Sequence, residues 1–291
     1  MSGSPAAPDS LRTAHDATRD GALQGLIDSC LRFGKYQPQE LLRWLVNDVL
    51  ADFGLQSQEQ APEDAGEWLR RSASVYADLA ARFPFCDVLG HVYQSIGSRG
   101  HRGALGQYFT PPSVSALIGA LLVGSMERPA HGALLRACEP ACGSGALVLA
   151  FMRAQTETNG LDALRHWSIT AIDLDVLCAR MCAAQVLSNL FLQRIELGEF
   201  VVYSGNALGP RSGLSVVIHT TVADLTPDLV LPAMHPSRVA ALRSVVEAHG
   251  DGGDRATSEV AMAGVPRTKP TARGCRDDQR DTSQIDLFAD C

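Results

Sequence analysis

The segment LLRACEPACGSGALVLAF, residues 134–151, constrains the fold more than any other part of this 291-residue chain. An apolar run ends at Glu139, a tight turn carries Gly143 and Gly145, and an apolar helical pattern begins at Ala146. Glycines let the backbone come close to a ligand, and the first turn of a helix offers amide groups that have no intrahelical acceptor. The segment therefore predicts a strand, a ligand-binding loop and a helix in succession.

Short apolar runs alternate with helical patterns on the C-terminal side of this segment. ITAID, FVVYSGN and DLVL are the predicted strands, at 169–173, 200–206 and 228–231, and helical spacing covers 176–192 and 237–249. Strands that alternate with helices favour parallel pairing with right-handed crossovers. Residues 22–89, in contrast, carry helical apolar spacing and no strand pattern. The sequence thus predicts an α/β fold preceded by an N-terminal helical segment.

Composition divides the chain into four stretches. Polar residues at the start are expected to fray, and the Gly, Asp, Arg, Thr and Pro-rich C-terminal stretch has too little to bury to fold alone. The predicted organisation is a frayed terminus at 1–20, a helical region at 21–105, an α/β domain at 106–248 and a disordered tail at 249–291.

Charge and hydropathy limit the classes of function. The start of the chain lacks a basic segment followed by an apolar one, and the apolar stretches are too short to cross a bilayer, so we expect a cytoplasmic protein that does not contact membranes. A formal net charge of −7 argues against a protein that binds nucleic acid through a uniformly basic surface. Local basic patches remain compatible with this charge.

The glycine loop differs from two common nucleotide-binding loops. No Lys-Ser or Lys-Thr pair follows the glycines, which excludes a P-loop. Val148 occupies the third glycine position of the dinucleotide fingerprint, which disfavours a nicotinamide-dependent oxidoreductase. Asp173 ends the next predicted strand, where a carboxylate can accept hydrogen bonds from ribose hydroxyls. These features indicate a ligand that contains a nucleoside.

Two motifs resemble those of a known family. Glu-Pro-Ala-Cys-Gly-Ser-Gly, residues 139–145, resembles the S-adenosylmethionine loop of adenine-N6 DNA methyltransferases, especially the modification subunits of type I restriction-modification systems and their relatives on mobile elements. GQYFTPPSVSALI, residues 106–118, is similar to the other cofactor motif of that family. The resemblance spans residues 86–208. It implies a Rossmann-like class I methyltransferase core, with S-adenosylmethionine as cofactor and DNA as partner.

The resemblance also implies which side chains surround the cofactor. Residues expected to wall its methionine end or to contact it through the loop are Tyr108, Phe109, Thr110, Pro111, Glu139, Cys142, Gly143 and Gly145. Asp173 would hold the ribose, Leu174 would lie near the adenine ring, and Asn206 would read the adenine amino group of the cofactor. Each assignment has a structural alternative: Asp173 and Asp175 as helix N-caps, Asn206 as a turn residue, and Tyr108 and Phe109 as core aromatics.

The chain departs from the family at the catalytic loop. Members carry Asp or Asn, then Pro-Pro and an aromatic residue, after the fourth strand; the first side chain accepts the hydrogens of the adenine amino group, and the aromatic ring stacks on the flipped base. After DLVL this sequence has Pro232, Ala233, Met234 and His235, of which Ala233 and Met234 cannot accept a hydrogen bond from the amino group. We interpret His235 as an ordinary loop histidine.

The predicted sheet is also truncated, because one helical pattern alone precedes the tail. We therefore expect either a second chain that completes the sheet and recognises the target, or a cofactor-binding remnant of a methyltransferase.

Two further segments suggest partners. Arg99, His101 and Arg102 directly precede the upstream motif, where they would either contact a DNA backbone or be solvated loop charges. Near the C-terminus, a pentapeptide is similar to the peptide by which bacterial proteins dock on the replication sliding clamp. It consists of Gln284, Ile285, Asp286, Leu287 and Phe288. The alternative is that this apolar cluster docks on its own domain.

Four of the eight cysteines form two pairs with four-residue spacing, Cys138 with Cys142 and Cys178 with Cys182. This spacing permits a zinc site, but buried cysteine is usually a small apolar residue, and structural zinc ligands usually lie in loops at closer spacing. We predict reduced thiols and no metal.

Overall fold

The computed structural model describes residues 9–55, 57, 59–97, 109–123 and 134–221, with side chains described from residue 18 onward. The predicted strand 228–231, the loop 232–235, the helix 237–249 and the tail lie outside the described residues, as do residues 98–108.

Helices make up the N-terminal part of the described chain, as the apolar spacing predicted. They are α1 (Asp9–Arg32), α2 (Pro38–Ala51), α3 (Gly66–Arg82) and α4 (Val88–Ile96). A short 3-10 helix, Glu63–Ala65, precedes α3. The helix α1 begins within the stretch 1–20 that we expected to be frayed.

The sequence of α2 explains both its start and the face it buries. Pro38 occupies the first turn, and the amide of Gln37 donates to the Glu40 carboxylate at 2.9 Å. The apolar residues of its core face are all buried. These residues are Leu41, Leu42, Leu45, Val46, Val49 and Leu50.

The second part of the described chain is a mixed sheet with helices. Its strands are β1 (Leu135–Glu139), β2 (Trp167–Asp173), β3 (Glu199–Ser204) and β4 (Ser215–Thr221). Its helices are α5 (Pro112–Leu122), α6 (Ala146–Asn159) and α7 (Val176–Gln193). The sheet order is β1-β2-β3-β4.

Strand pairing confirms three of the predicted strands and adds one that the sequence analysis missed. The strands β1, β2 and β3 are parallel, as expected from their alternation with helices. The strand β4 was not predicted and pairs antiparallel with β3, so that Thr221 lies opposite Glu199. Antiparallel neighbours can be joined by a short connection, and the glycine-containing loop after β3 provides one without a crossover helix.

The central helix α7 joins the two parts of the protein. It packs against α2 and α3 on one side and against β2 and β3 on the other, within one continuous hydrophobic core. Among the described residues it is the one helix long and apolar enough to cross a membrane, but 78% of that window is buried inside the protein. Its apolar sequence is therefore accounted for by its central place in the core.

Helices α5 and α6 approach each other through small residues. Ser115 and Gly119, one turn apart, are buried, whereas Leu117 and Leu121 on the same helix are 60% and 74% exposed. A Cβ atom at Gly119 would lie 2.7 Å from the carbonyl oxygen of Ala150. The contact between these helices thus depends on the missing side chain at position 119.

We expect Gly119→Ala to destabilise the protein by about 1–3 kcal/mol, because the added methyl group must separate two packed backbones. The matched control is Gly25→Ala in α1, where no atom lies within 4 Å of the new Cβ. This control should stabilise by up to about 1 kcal/mol through helix propensity alone. Urea unfolding of both variants measures the difference, and equal effects would contradict the tight α5–α6 contact.

Candidate cofactor-binding site

The predicted site residues meet at the carboxyl ends of the parallel strands. Glu139 ends β1 and Asp173 ends β2, and Asp173 lies opposite Ser204, the last residue of β3. Because parallel strands end at the same edge of a sheet, the loops that follow them are neighbours. The glycine loop, residues 140–145, is the first of these loops.

Hydrogen bonds tie the glycine loop to the end of β2. The amide of Cys142 donates to the carbonyl of Ile172 at 2.8 Å, and the amide of Gly143 donates to Asp173 Oδ2 at 2.8 Å. The amide of Ala141 donates to Glu139 Oε1 at 3.1 Å. The carboxylates that end two strands thus hold the loop by its backbone.

Both loop glycines have left-handed backbone conformations. The φ angles are +53° at Gly143 and +99° at Gly145, a region that disfavours residues with a Cβ atom. At Gly145 a Cβ would also lie 3.2 Å from the Cα of Cys182. Position 145 therefore needs glycine for two reasons: its dihedral angles and its close contact with α7. At Gly143, the side chain nearest to an added Cβ is an aromatic ring.

That ring is Phe109, which brings the two sequence motifs together. A Cβ placed on Gly143 would lie 3.6 Å from the Phe109 ring, and this ring packs against Tyr93 with 5.3 Å between centroids. Thr110 follows, and Pro111 caps α5, where its carbonyl accepts the amide of Ser115 at 3.0 Å. Phe109 thus does more than fill the core, since it covers the glycine loop.

The two aspartates at the end of β2 have different roles: one caps a helix and the other holds the glycine loop. Asp175 is the N-cap of α7 and accepts the amide of Leu177 at 2.8 Å. Asp173 instead accepts two amides, those of Gly143 and Asp175, each at 2.8 Å. The capping alternative therefore holds for Asp175 and not for Asp173. Between them, Leu174 is 76% exposed and offers an apolar surface at the mouth of the site.

Asn206 forms a turn just after β3. Its Oδ1 accepts the amide of Leu208 at 3.0 Å, and its carbonyl accepts the amide of Gly209 at 3.0 Å. The amide of the preceding Gly205 donates to the carbonyl of Asp173 at 2.9 Å, so this turn lies beside the end of β2. A role for Asn206 in reading an amino group requires its oxygen to accept a second hydrogen bond, which a carbonyl permits.

Burial changes the proton affinity of both strand-end carboxylates. Desolvation raises the pKa of Glu139; the hydrogen bond from Ala141 opposes this rise, and the charge of Asp173 adds to it. Desolvation also raises the pKa of Asp173, against the hydrogen bonds from Asp175 and Gly143. The site therefore has two neighbouring, partly desolvated acids next to the glycine loop.

The cysteines around the loop behave as buried thiols. A hydrogen bond with Cys182 and burial both raise the pKa of Cys142, and burial raises the pKa of Cys178. In the part of the chain that the structure describes, no group of three or more His, Cys, Asp or Glu side chains could hold a metal ion. Cys142 and Cys182 instead pack the glycine loop onto α7.

The remaining predicted site residues are not among those that the structure describes. They are Tyr108, Arg99, His101 and Arg102, the loop Pro232, Ala233, Met234 and His235, and the tail residues Gln284, Ile285, Asp286, Leu287 and Phe288.

Sequence reasoning missed a polar cluster directly behind the glycine loop. Asp87 accepts the Ser144 hydroxyl at 2.8 Å and the Gln185 side-chain amide at 2.8 Å. The local signal was an aspartate just before the helical pattern of α4, which indicates a helix cap and nothing more.

Comparison with protein-family models matches part of this chain to a known family. Residues 85–223 match the family model described as N-6 DNA methylase. This range contains both motifs and confirms the resemblance seen in the sequence. A search of the curated proteins finds no match to the chain.

The raised pKa of Glu139 predicts a pH dependence of stability. The folded state holds this proton more tightly than the unfolded state, so the stabilisation is present below the ordinary pKa and is lost as pH rises through the raised value. A glutamine side chain at this position does not titrate. We therefore expect Glu139→Gln to gain stability relative to wild type as the pH rises from about 4 to about 7.

Glu199 provides a control of opposite sign. Its hydrogen bonds with Ser168 and His219 lower its pKa, so Glu199→Gln should lose stability relative to wild type as the pH rises. Urea unfolding at several pH values measures both trends. The same sign for both variants would contradict the burial of Glu139.

Proposed function

We propose that this chain, whose residues 85–223 match the N-6 DNA methylase family, binds S-adenosylmethionine at the glycine loop and has DNA as its substrate. In this family the cofactor provides the methyl group that is transferred to the adenine amino group. We further propose that the parallel strands form the first part of a Rossmann-like class I core in a cytoplasmic protein.

The single observation that carries the proposal is the junction of the two motifs. Phe109, from the upstream motif, covers Gly143 of the glycine loop, and Asp173 accepts the amide of that same glycine. Two segments distant in sequence thus flank one backbone position without a side chain. This is the arrangement expected where a ligand lies against the backbone at the carboxyl edge of a parallel sheet.

The donor set fits this cofactor better than a dinucleotide. S-adenosylmethionine carries a positively charged sulfonium, which makes its methyl group electrophilic. Glu139 and Asp173 supply negative charge and carboxylate acceptors beside the loop, which favours a cationic ligand with ribose hydroxyls over one with a pyrophosphate. The exposed face of Leu174 offers an apolar contact for a base.

Methyl transfer, if the chain is active, would run in line from the sulfonium to a flipped adenine, with no covalent intermediate on the protein. The residues that would accept the amino hydrogens are replaced by Pro232, Ala233, Met234 and His235. We therefore propose that the chain acts with a second chain that completes the sheet and recognises the target. Arg99, His101 and Arg102 are the side chains proposed to contact the DNA backbone.

Calorimetric titration with S-adenosylmethionine tests the cofactor site. We expect the wild-type chain to bind, and the Gly143→Asp, Gly145→Asp double variant to lose binding because both positions have positive φ and the added side chains would meet Phe109 and Cys182. NAD is the control ligand, and Gly213→Asp is the control variant, since no atom lies within 4 Å of a Cβ at Gly213. Binding of NAD in place of S-adenosylmethionine would overturn the proposal.

A methyl-transfer assay on unmodified DNA shows whether the chain is an active enzyme or a non-catalytic remnant of a methyltransferase. Transfer by the chain alone would show that the loop 232–235 supports catalysis without the usual residues. Cofactor binding without transfer would favour the second candidate function, a non-catalytic module that binds cofactor and DNA.

The C-terminal pentapeptide favours this second candidate and supplies its partner. Leu287 and Phe288 are the apolar anchors that would fill a pocket of the sliding clamp. We expect the Leu287→Ala, Phe288→Ala double variant to lose clamp binding in surface plasmon resonance, with Asp290→Ala as a matched change outside the peptide. Equal binding by wild type and the double variant would exclude this tether.

A further inference from the structure

Asp87 is the N-cap of α4, but capping accounts for only one of its hydrogen bonds. Its Oδ1 accepts the amide of Gly90 at 3.0 Å, the ordinary role of a capping aspartate. The same oxygen also accepts the Gln185 side-chain amide at 2.8 Å, and Oδ2 accepts the hydroxyl of Ser144 at 2.8 Å. The carboxylate therefore connects the helical region, the glycine loop and α7.

Ser144 lies between the two loop glycines and is fully buried. Its hydroxyl donates to Asp87, and its carbonyl accepts the Gln185 amide at 2.8 Å. Both its side chain and its backbone are thus fixed by residues from outside the loop. Asp173 holds the loop from the sheet side through Gly143, and Asp87 holds it from the helical side through Ser144.

The space around this contact is shaped to keep it. A Cβ at Gly90 would lie 2.2 Å from Asp87 Oδ2 and 2.3 Å from Ser144 Oγ, so a side chain at position 90 would displace this contact. Gln185, which is 1% exposed, also accepts the amide of Leu89 through its Oε1 at 3.0 Å. The polar groups of the cluster therefore satisfy one another, and a loss of one partner leaves the others buried and unpaired.

We propose that Asp87 is a positioning residue that sets cofactor affinity from outside the site, by holding the glycine loop in its binding shape through Ser144. This inference rests on the proposed binding of S-adenosylmethionine. A loop that is already ordered loses less conformational freedom when the ligand binds, so the restraint appears as affinity. The helical region thus contributes to cofactor binding without any predicted contact with the cofactor.

The test separates capping from positioning. Serine caps helices about as well as aspartate but is too short to keep the contacts with Ser144 and Gln185, so Asp87→Ser retains the cap and removes the restraint. Ser144→Ala removes the restraint from the other side. We expect each variant to weaken S-adenosylmethionine binding by about tenfold, since hydrogen bonds to a carboxylate are among the stronger ones.

The double variant shows whether the two residues act through one contact. We expect Asp87→Ser with Ser144→Ala to lose about tenfold rather than about a hundredfold, because Ser144→Ala removes no contact that Asp87→Ser has not already broken. The control is Gln193→Ala, which breaks side-chain contacts between α7 and the carbonyls of Ala80 and Ala81, at the end of α7 opposite to the loop. This control should bind the cofactor as wild type does.

Hydrogen exchange of the unliganded proteins gives a readout that needs no cofactor. We expect faster exchange of the Gly143 and Gly145 amides in both single variants and not in Gln193→Ala. Wild-type affinity and exchange in Ser144→Ala, or a fully additive loss in the double variant, would overturn the proposal. If Asp87→Ser does not fold, Ser144→Ala alone decides by the same criteria.

A failure of the proposed function is distinguishable from a failure of this inference. If wild type does not bind S-adenosylmethionine, the proposed function falls, and exchange at the loop amides then decides the positioning role. Faster exchange in the variants supports it, and unchanged exchange overturns it.

Discussion

The burial of α7 is the constraint on which the rest of the structure depends. This helix is covered nearly all round, and its alanines and cysteines let the helical region and the sheet approach it closely. Its polar residues must therefore find partners inside the protein, since a buried polar group without one costs about 1–3 kcal/mol. Gln185 pairs with Asp87 and with the glycine loop, and Asn189 accepts the amide of Phe85 at 2.6 Å. These bonds fix how the helical region is placed against the loop.

The glycine loop must combine an accessible backbone with a fixed shape, and the surrounding elements provide the restraint. The proposed cofactor binding requires the loop to present its backbone, and the two positions without side chains make the loop flexible unless it is held from outside. Asp173 and Glu139 hold it by its amides, while Phe109 covers it and Cys182 packs behind it. The raised pKa of both carboxyl groups is the cost of placing acids at this partly desolvated edge.

Secondary structure and the glycine loop could be predicted from local sequence patterns, whereas contacts between distant segments could not. The helical spacing of α2 and α7, the three parallel strands and the glycine loop follow from apolar periodicity and turn residues. The strand β4 was missed although its inner positions alternate, because Ser, His and Thr dilute its apolar signal. The pairing of Asp87 with Ser144 and Gln185 spans 57 and 98 residues, and no local pattern encodes such a contact. The exposure of the leucines of α5 could not be predicted either, since an apolar helix is expected to be buried.

The antiparallel direction of β4 determines at which edge of the sheet its last residue lies. Thr221 lies beside the first residue of β3, at the edge opposite to the glycine loop. For any later residue to act at the glycine loop, the chain after Thr221 must therefore span the length of a strand. At about 3.3 Å per residue, the six residues of β3 correspond to a path of about 20 Å of extended chain. Pro232, eleven positions after Thr221, is far enough along the chain to complete that return.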